Sequence, residues 1–168
     1  MKKSHWSRYL IYGVAAAFAY CIPVVFFLKR ADYTNSWLLF SGCILFLFFI
    51  VLFLVQFNKR RNENASTGAM LAAGHIATIT GVVISVVLSF LLILIFVPGF
   101  LDQPVPDKVL RSEPSNVIKD KTEGLAFMIF MTATVGNFSA GSFVTIIFPF
   151  SLKKDQTKEK VTREQREL

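Results

Sequence analysis

Charge is missing where this chain is most apolar. Four runs, about Tyr9–Leu28, Ser36–Phe57, Ala69–Pro98 and Gly124–Phe150, hold no Asp, Glu, Lys or Arg. A proton relay through intramembrane carboxylates therefore has no parts. Cysteine is nearly missing too. Cys21 and Cys43 each fall inside a run, where a small apolar thiol packs well, and no paired-cysteine motif occurs. Of the two histidines, His5 lies in the leader and His75 in the third run, with no second ligand three or four residues from it, so no metal site is expected. There is no HExxH helix, GxSxG elbow or phosphate-binding loop. An intramembrane protease needs a nucleophile with a base or a pair of acids, and the serines have no evident partner. No broken helix pair repeats between the halves, so an inverted-repeat transporter is not indicated. The expectation is a protein that is not an enzyme and holds no cofactor and no metal.

What the chain has in excess is apolar residues in long runs. Its 168 residues make one domain, 54% hydrophobic, with a mean hydropathy of +0.53 and 18 phenylalanines. At a helical rise of about 1.5 Å per residue, the third run overspans a hydrocarbon layer of about 30 Å and crosses it with some tilt. The net charge of +7 lies in short clusters beside these runs. That placement speaks for headgroups and topology, with no nucleic acid as partner. The leader MKKSHWSR and Ala17-Phe18-Ala19 imitate a cleavable signal. However, the apolar run continues to Leu28, and Tyr20 before Cys21 fits a lipoprotein signal poorly, so an uncleaved first helix is expected.

The fold class predicted is all-α: an integral membrane protein of four transmembrane helices in an antiparallel bundle. Trp6, Tyr9 and Tyr12 sit near the start of span one, and Pro23 kinks it. KRADYTN is a short turn. Span two is bulky on every face and has no packing stripe, so much of it should face lipid. NKRRNENASTG follows; its glycosylation sequon is silent if the turn is cytoplasmic, and Ser66 or Thr67 can cap the third helix. In span three Ala73, Ala77, Gly81, Ser85 and Ser89 recur at every fourth position and stack on one face. Such a face lets another helix come close inside lipid. In span four one row is Thr132, Gly136 and Ala140, and the adjacent row is Ala133, Asn137, Gly141 and Thr145. Spans three and four are thus the expected close pair, with Pro149 breaking the last helix. The loop 100–123, rich in proline and both charge signs, reads as a packed cap or a lid, and 151–168 as a polar tail. Leader, second turn and tail carry twelve Lys and Arg against six in the first turn and the loop, so both termini are expected in the cytoplasm.

Three polar side chains inside the spans are candidates for function: His75, Ser85 and Asn137. An ionisable group in a membrane raises the question of function by default. The bland readings carry more weight: a structural hydrogen bond for His75, and interhelical glue for Asn137 with Ser85, Ser89 or Thr80. The layout resembles a family of small four-helix membrane proteins of unknown function widespread in Bacteroidota. The shared features are a basic leader, two apolar spans, a basic turn, a Gly- and Ser-bearing third span ending near Pro98, a charged loop, a Gly-containing fourth span and a tail starting at Lys153-Lys154. The resemblance implies a bacterial inner-membrane home and no activity. The function expected is structural or accessory, through helix packing or as a subunit of a larger assembly. The bilayer is the surrounding, and a second copy or another membrane protein is the partner. The alternative is a transport or channel component with a polar path between spans three and four.

Overall fold

A computed structural model describes residues 6–30, 33–60, 66–97, 100 and 121–152. Among them all regular structure is helical. Helix α1 is Trp6–Arg30 and α2 is Trp37–Arg60, joined through a 3-10 turn at Tyr33–Asn35. Helix α3 is Thr67–Phe96. Then come α4 at Lys121–Met131, a π-turn at Thr132–Gly136 and α5 at Asn137–Leu152. Four stretches are long and apolar enough to cross a membrane: Tyr9–Arg30, Trp37–Arg60, Thr67–Phe96 and Gly124–Ser151. The last runs from α4 through the π-turn into α5. The expectations for Pro98-Gly99, for the sequon, for most of the 100–123 loop and for nearly all of the tail fall outside the described residues.

The helix ends follow from local chemistry. Ser66 caps α3, its hydroxyl accepting from the Ala69 N–H at 3.2 Å. At the other end the Val97 N–H still reaches the Ile93 carbonyl at 2.8 Å. Pro149 does not break the last helix, which continues to Leu152. Proline removes one N–H donor, and a membrane helix absorbs that loss near its end when the alternative is to expose a whole turn of backbone.

The outer surface is apolar. Phe18, Ile22 and Phe26 on α1, Phe40, Ile44 and Phe48 on α2, and Val83, Val87 and Ile95 on α3 all point outward. Water would not tolerate so extensive an apolar surface, while hydrocarbon does. Helix α2 buries one face after all, through Leu39, Gly42, Phe46, Ile50, Phe53 and Phe57. Both faces carry Phe, Leu and Ile, so sequence pattern did not separate them.

Contacts between helices fix their order. Tyr9 packs on Phe57 with ring centres 6.0 Å apart, Tyr12 on Phe53 at 5.3 Å, and Tyr20 lies against Gly42, so α1 and α2 run in opposite chain directions. The Tyr12 hydroxyl also donates to the side-chain Oε1 of Gln56. Helix α3 makes its closest backbone approach to α1: a Cβ at Gly13 would sit 2.7 Å from the Ala77 carbonyl oxygen and 3.1 Å from the Gly81 nitrogen. Gly81 lies between Gly13 and the Phe46 ring, away from α5. The seam between α3 and α5 forms elsewhere, where Gly74 meets Thr145 and Thr78 meets Gly141. The stripe on span three therefore serves more than the one partner expected for it. Four residues advance about 40° beyond a full turn, so an every-fourth row winds round its helix and meets several neighbours.

Candidate functional site

The polar groups of the interior gather along the α3–α5 seam and around the π-turn. Thr132, at the start of that turn, is held from two sides. Its Oγ1 lies 2.8 Å from the Tyr20 hydroxyl of α1, which is itself 3.2 Å from the Ile129 carbonyl oxygen. Thr132 Oγ1 also lies 2.9 Å from the Met128 carbonyl oxygen and 3.0 Å from that of Ile129. Two hydroxyl protons are shared among these oxygens. From α2, the Cys43 thiol points at the Thr132 carbonyl with 3.7 Å between sulfur and oxygen. Gly136, at the end of the turn, is half-buried, and a Cβ there would come within 2.9 Å of the Cys43 sulfur. So α1 and α2 both pin the π-turn.

Asn137 follows directly. Its N–H is shared between the carbonyls of Thr132 and Thr134. Its side chain is 0% exposed, and neither Nδ2 nor Oδ1 has a hydrogen-bond partner. An amide buried in that state costs roughly 2–7 kcal/mol, against roughly 0.6–2 kcal/mol gained by a formed interhelical bond. Ser85, Ser89, Thr78 and Thr145 are fully buried as well, with hydroxyls unpaired. Each stands four residues after Gly81, Ser85, Gly74 and Gly141 respectively. A hydroxyl in that position can turn to the carbonyl four residues back, as Thr134 does to Phe130 at 2.6 Å.

His75 stands apart. It is half-buried, and its Nδ1 lies 2.9 Å from the Leu71 carbonyl oxygen of its own helix. It is ten residues, about 15 Å of helix, from Ser85. The three polar candidates thus divide: Ser85 and Asn137 belong to the sealed interior, and His75 is served locally. Of the expected packing residues, Ala73, Ala77, Gly81, Ser89 and Gly141 are buried, while Gly136 and Ala140 are half-buried. An apolar groove of about 270 Å³ runs between α1 and α3, lined by Phe18, Cys21, Ile22, Val25, Leu88 and Leu92. It opens on the outer surface and carries no polar path.

No family model, curated protein or solved structure matches this chain. Its reading therefore rests on its own residues. Among the described residues no group of three or more His, Cys, Asp or Glu could hold a metal ion. Among the described residues the interior is neutral: hydroxyls, the amides of Asn58 and Asn137, thiols and backbone. Such a set can hold helices together and hydrogen-bond a small neutral guest, but offers no charge to a bare ion.

Sequence reasoning missed Tyr20 and the π-turn, and read Thr132 only as one of a row of small packing residues. The available signal was the length of the row. Leu125, Ile129, Ala133, Asn137, Gly141, Thr145 and Pro149 are all buried at spacings of four. An α-helix turning about 40° too far at each step would carry that row well over half-way round. One extra residue, which a π-turn supplies, takes back about 100° and returns the row to the interior.

Proposed function

We propose that this chain is a small multi-pass membrane protein of structural or accessory type. It is an antiparallel four-span bundle in a bacterial inner membrane with both termini in the cytoplasm, related to the Bacteroidota family its layout resembles. It acts through helix packing or as a subunit of a larger membrane assembly, with lipid and another membrane protein or a second copy as partners. One observation carries this reading: the polar groups inside the spans are buried among apolar and small side chains, while exposed bulky apolar side chains cover the outer face of every span. Such a body presents a lipid-compatible surface and an interior closed to substrate.

A second reading, a transport or channel component, is favoured by the unpaired polar atoms of Thr78, Ser85, Ser89, Asn137 and Thr145. A cysteine scan separates the two. Single cysteines along α3, in a background lacking Cys21 and Cys43, are treated with a water-soluble thiol reagent in intact membranes. The accessory reading expects no labelling at Ala77, Gly81, Ser85 and Ser89. Labelling at consecutive buried positions supports a polar path instead.

A further inference from the structure

We propose that Asn137 holds a water molecule occluded inside the bundle, at the level where α5 faces the Gly81–Ser85 turn of α3. The position comes from the register of the seam. Gly74 meets Thr145 and Thr78 meets Gly141, so four residues forward on α3 match four residues back on α5. One more step brings Asn137 level with the turn carrying Gly81 and Ser85. Gly81 is backed by the Phe46 ring and the Gly13 carbonyl of other helices, so the side chain of that turn left to meet α5 is the small, buried and unpaired Ser85.

The guest follows from hydrogen-bond supply and demand. The amide offers two donors through Nδ2 and an acceptor through Oδ1, and all are unpaired. A helix backbone can take a donated proton at a carbonyl, but its N–H groups are engaged in the helix, so Oδ1 finds no donor in its own element. The seam hydroxyls can satisfy themselves by turning to carbonyls four residues back, whereas the amide cannot satisfy both its atoms that way. A guest must therefore donate to Oδ1 and accept from Nδ2. It must be uncharged, because no charged side chain lies in the span around it, and it must be small, because Thr78 and Gly141 already touch one step away. Water meets all four conditions and is the usual partner of buried polar groups left over in a core.

The π-turn is what brings Asn137 there. In an uninterrupted α-helix the residues beyond Gly136 would be rotated by about 100° relative to α4, and the amide would leave the buried row. The inference requires the chain to sit in a membrane but not that it is an accessory protein. An occluded water is not a continuous path and does not make the seam reactive to a thiol reagent.

The test uses the full chain in lipid nanodiscs. Gly136-Asn137 is the only Gly-Asn pair in the sequence, so carbonyl-labelled glycine with amide-labelled asparagine assigns Asn137 without mutation. Magnetisation transfer from water to its side-chain Nδ2 protons is then measured by NMR. Asn35, whose Oδ1 accepts from Arg30 at the helix end, serves as the exposed control. The expected result is a water cross-peak to Asn137 Nδ2 that persists when exposed amides are suppressed by a paramagnetic relaxation agent in the buffer. An Asn137 signal with serine contacts but no water cross-peak, while Asn35 shows one, overturns the proposal. A peak suppressed together with that of Asn35 also overturns it, since the site would then be open. Cross-peaks from lipid acyl protons to the Ile95 methyl report the membrane placement separately.

Discussion

At Gly141 one added methyl group would place a Cβ 2.7 Å from Thr78 Oγ1 and 3.1 Å from Thr78 Cβ. The β-branched threonine has few rotamers to retreat into, so the helices must part. Gly141→Ala should lower stability by about 1–3 kcal/mol. At Gly68, in the first turn of α3, the same methyl meets nothing within 4 Å. Gly68→Ala should raise stability by roughly 0.5–1 kcal/mol through helix propensity. Reversible denaturant unfolding in mild detergent measures both, and equal effects would contradict the close contact. The same logic applies at Gly81, whose added bulk would meet Phe46 and Gly13. Gly81→Leu should separate α3 from α1 and Phe46, whereas Val83→Leu, on the outward face, should be mild. That these glycines and serines pack inward was legible from their spacing. Which helix each one meets was not, because a row that winds round its helix names no single neighbour.

The π-turn is the element that joins local chemistry to helix placement. Tyr20 and Thr132 share one hydrogen bond across α1 and span four, at 2.8 Å. Removing a partner of a buried hydrogen bond costs about 1 kcal/mol or somewhat more. Tyr20→Phe and Thr132→Val should each destabilise by that order. Because they remove the same bond, the double variant should lose less than the sum of the two, with a coupling above about 0.5 kcal/mol. Additive losses in a detergent unfolding cycle would show that Tyr20 does not hold the turn. The sequence made the four helices evident, since each run is uncharged and long. It did not reveal the turn because no residue of TATVG is one that a π-turn requires and an α-helix excludes. The signal lay in the length of a small-residue row, which only matters once a partner's position is known. For α2, too, the buried face was hidden by uniformly apolar composition: Phe46 is fully buried while Phe48 is half-exposed to the surroundings, yet both are phenylalanine.

For the whole molecule, orientation is a question of charge placement that packing cannot answer, since the bundle is equally sound either way up. Lys59 and Arg60 end α2, and Lys29 and Arg30 end α1. Because α1 and α2 run in opposite chain directions, these two pairs stand at opposite ends of the helix pair. Both also sit at helix C-termini, where cations suit the dipole, so the helices accept either pair and the balance must come from the total. Leader, second turn and tail together hold twelve Lys and Arg, against six on the other side. A fluorescent protein fused to the C-terminus should therefore fold and glow in the cytoplasm, and an alkaline phosphatase fused there should stay inactive. Replacing Lys2, Lys3, Arg8, Lys59, Arg60 and Arg61 with Gln leaves the two sides level at six each. That variant should insert both ways, so that both reporters register in parallel cultures. Replacing Lys29 and Arg30 with Gln instead weakens only the first turn and loop in the count, and should leave the orientation unchanged. If the six-residue variant kept one orientation, the tail alone would be setting it. A further variant with the six basic residues of the tail neutralised would then be the one to lose its single orientation.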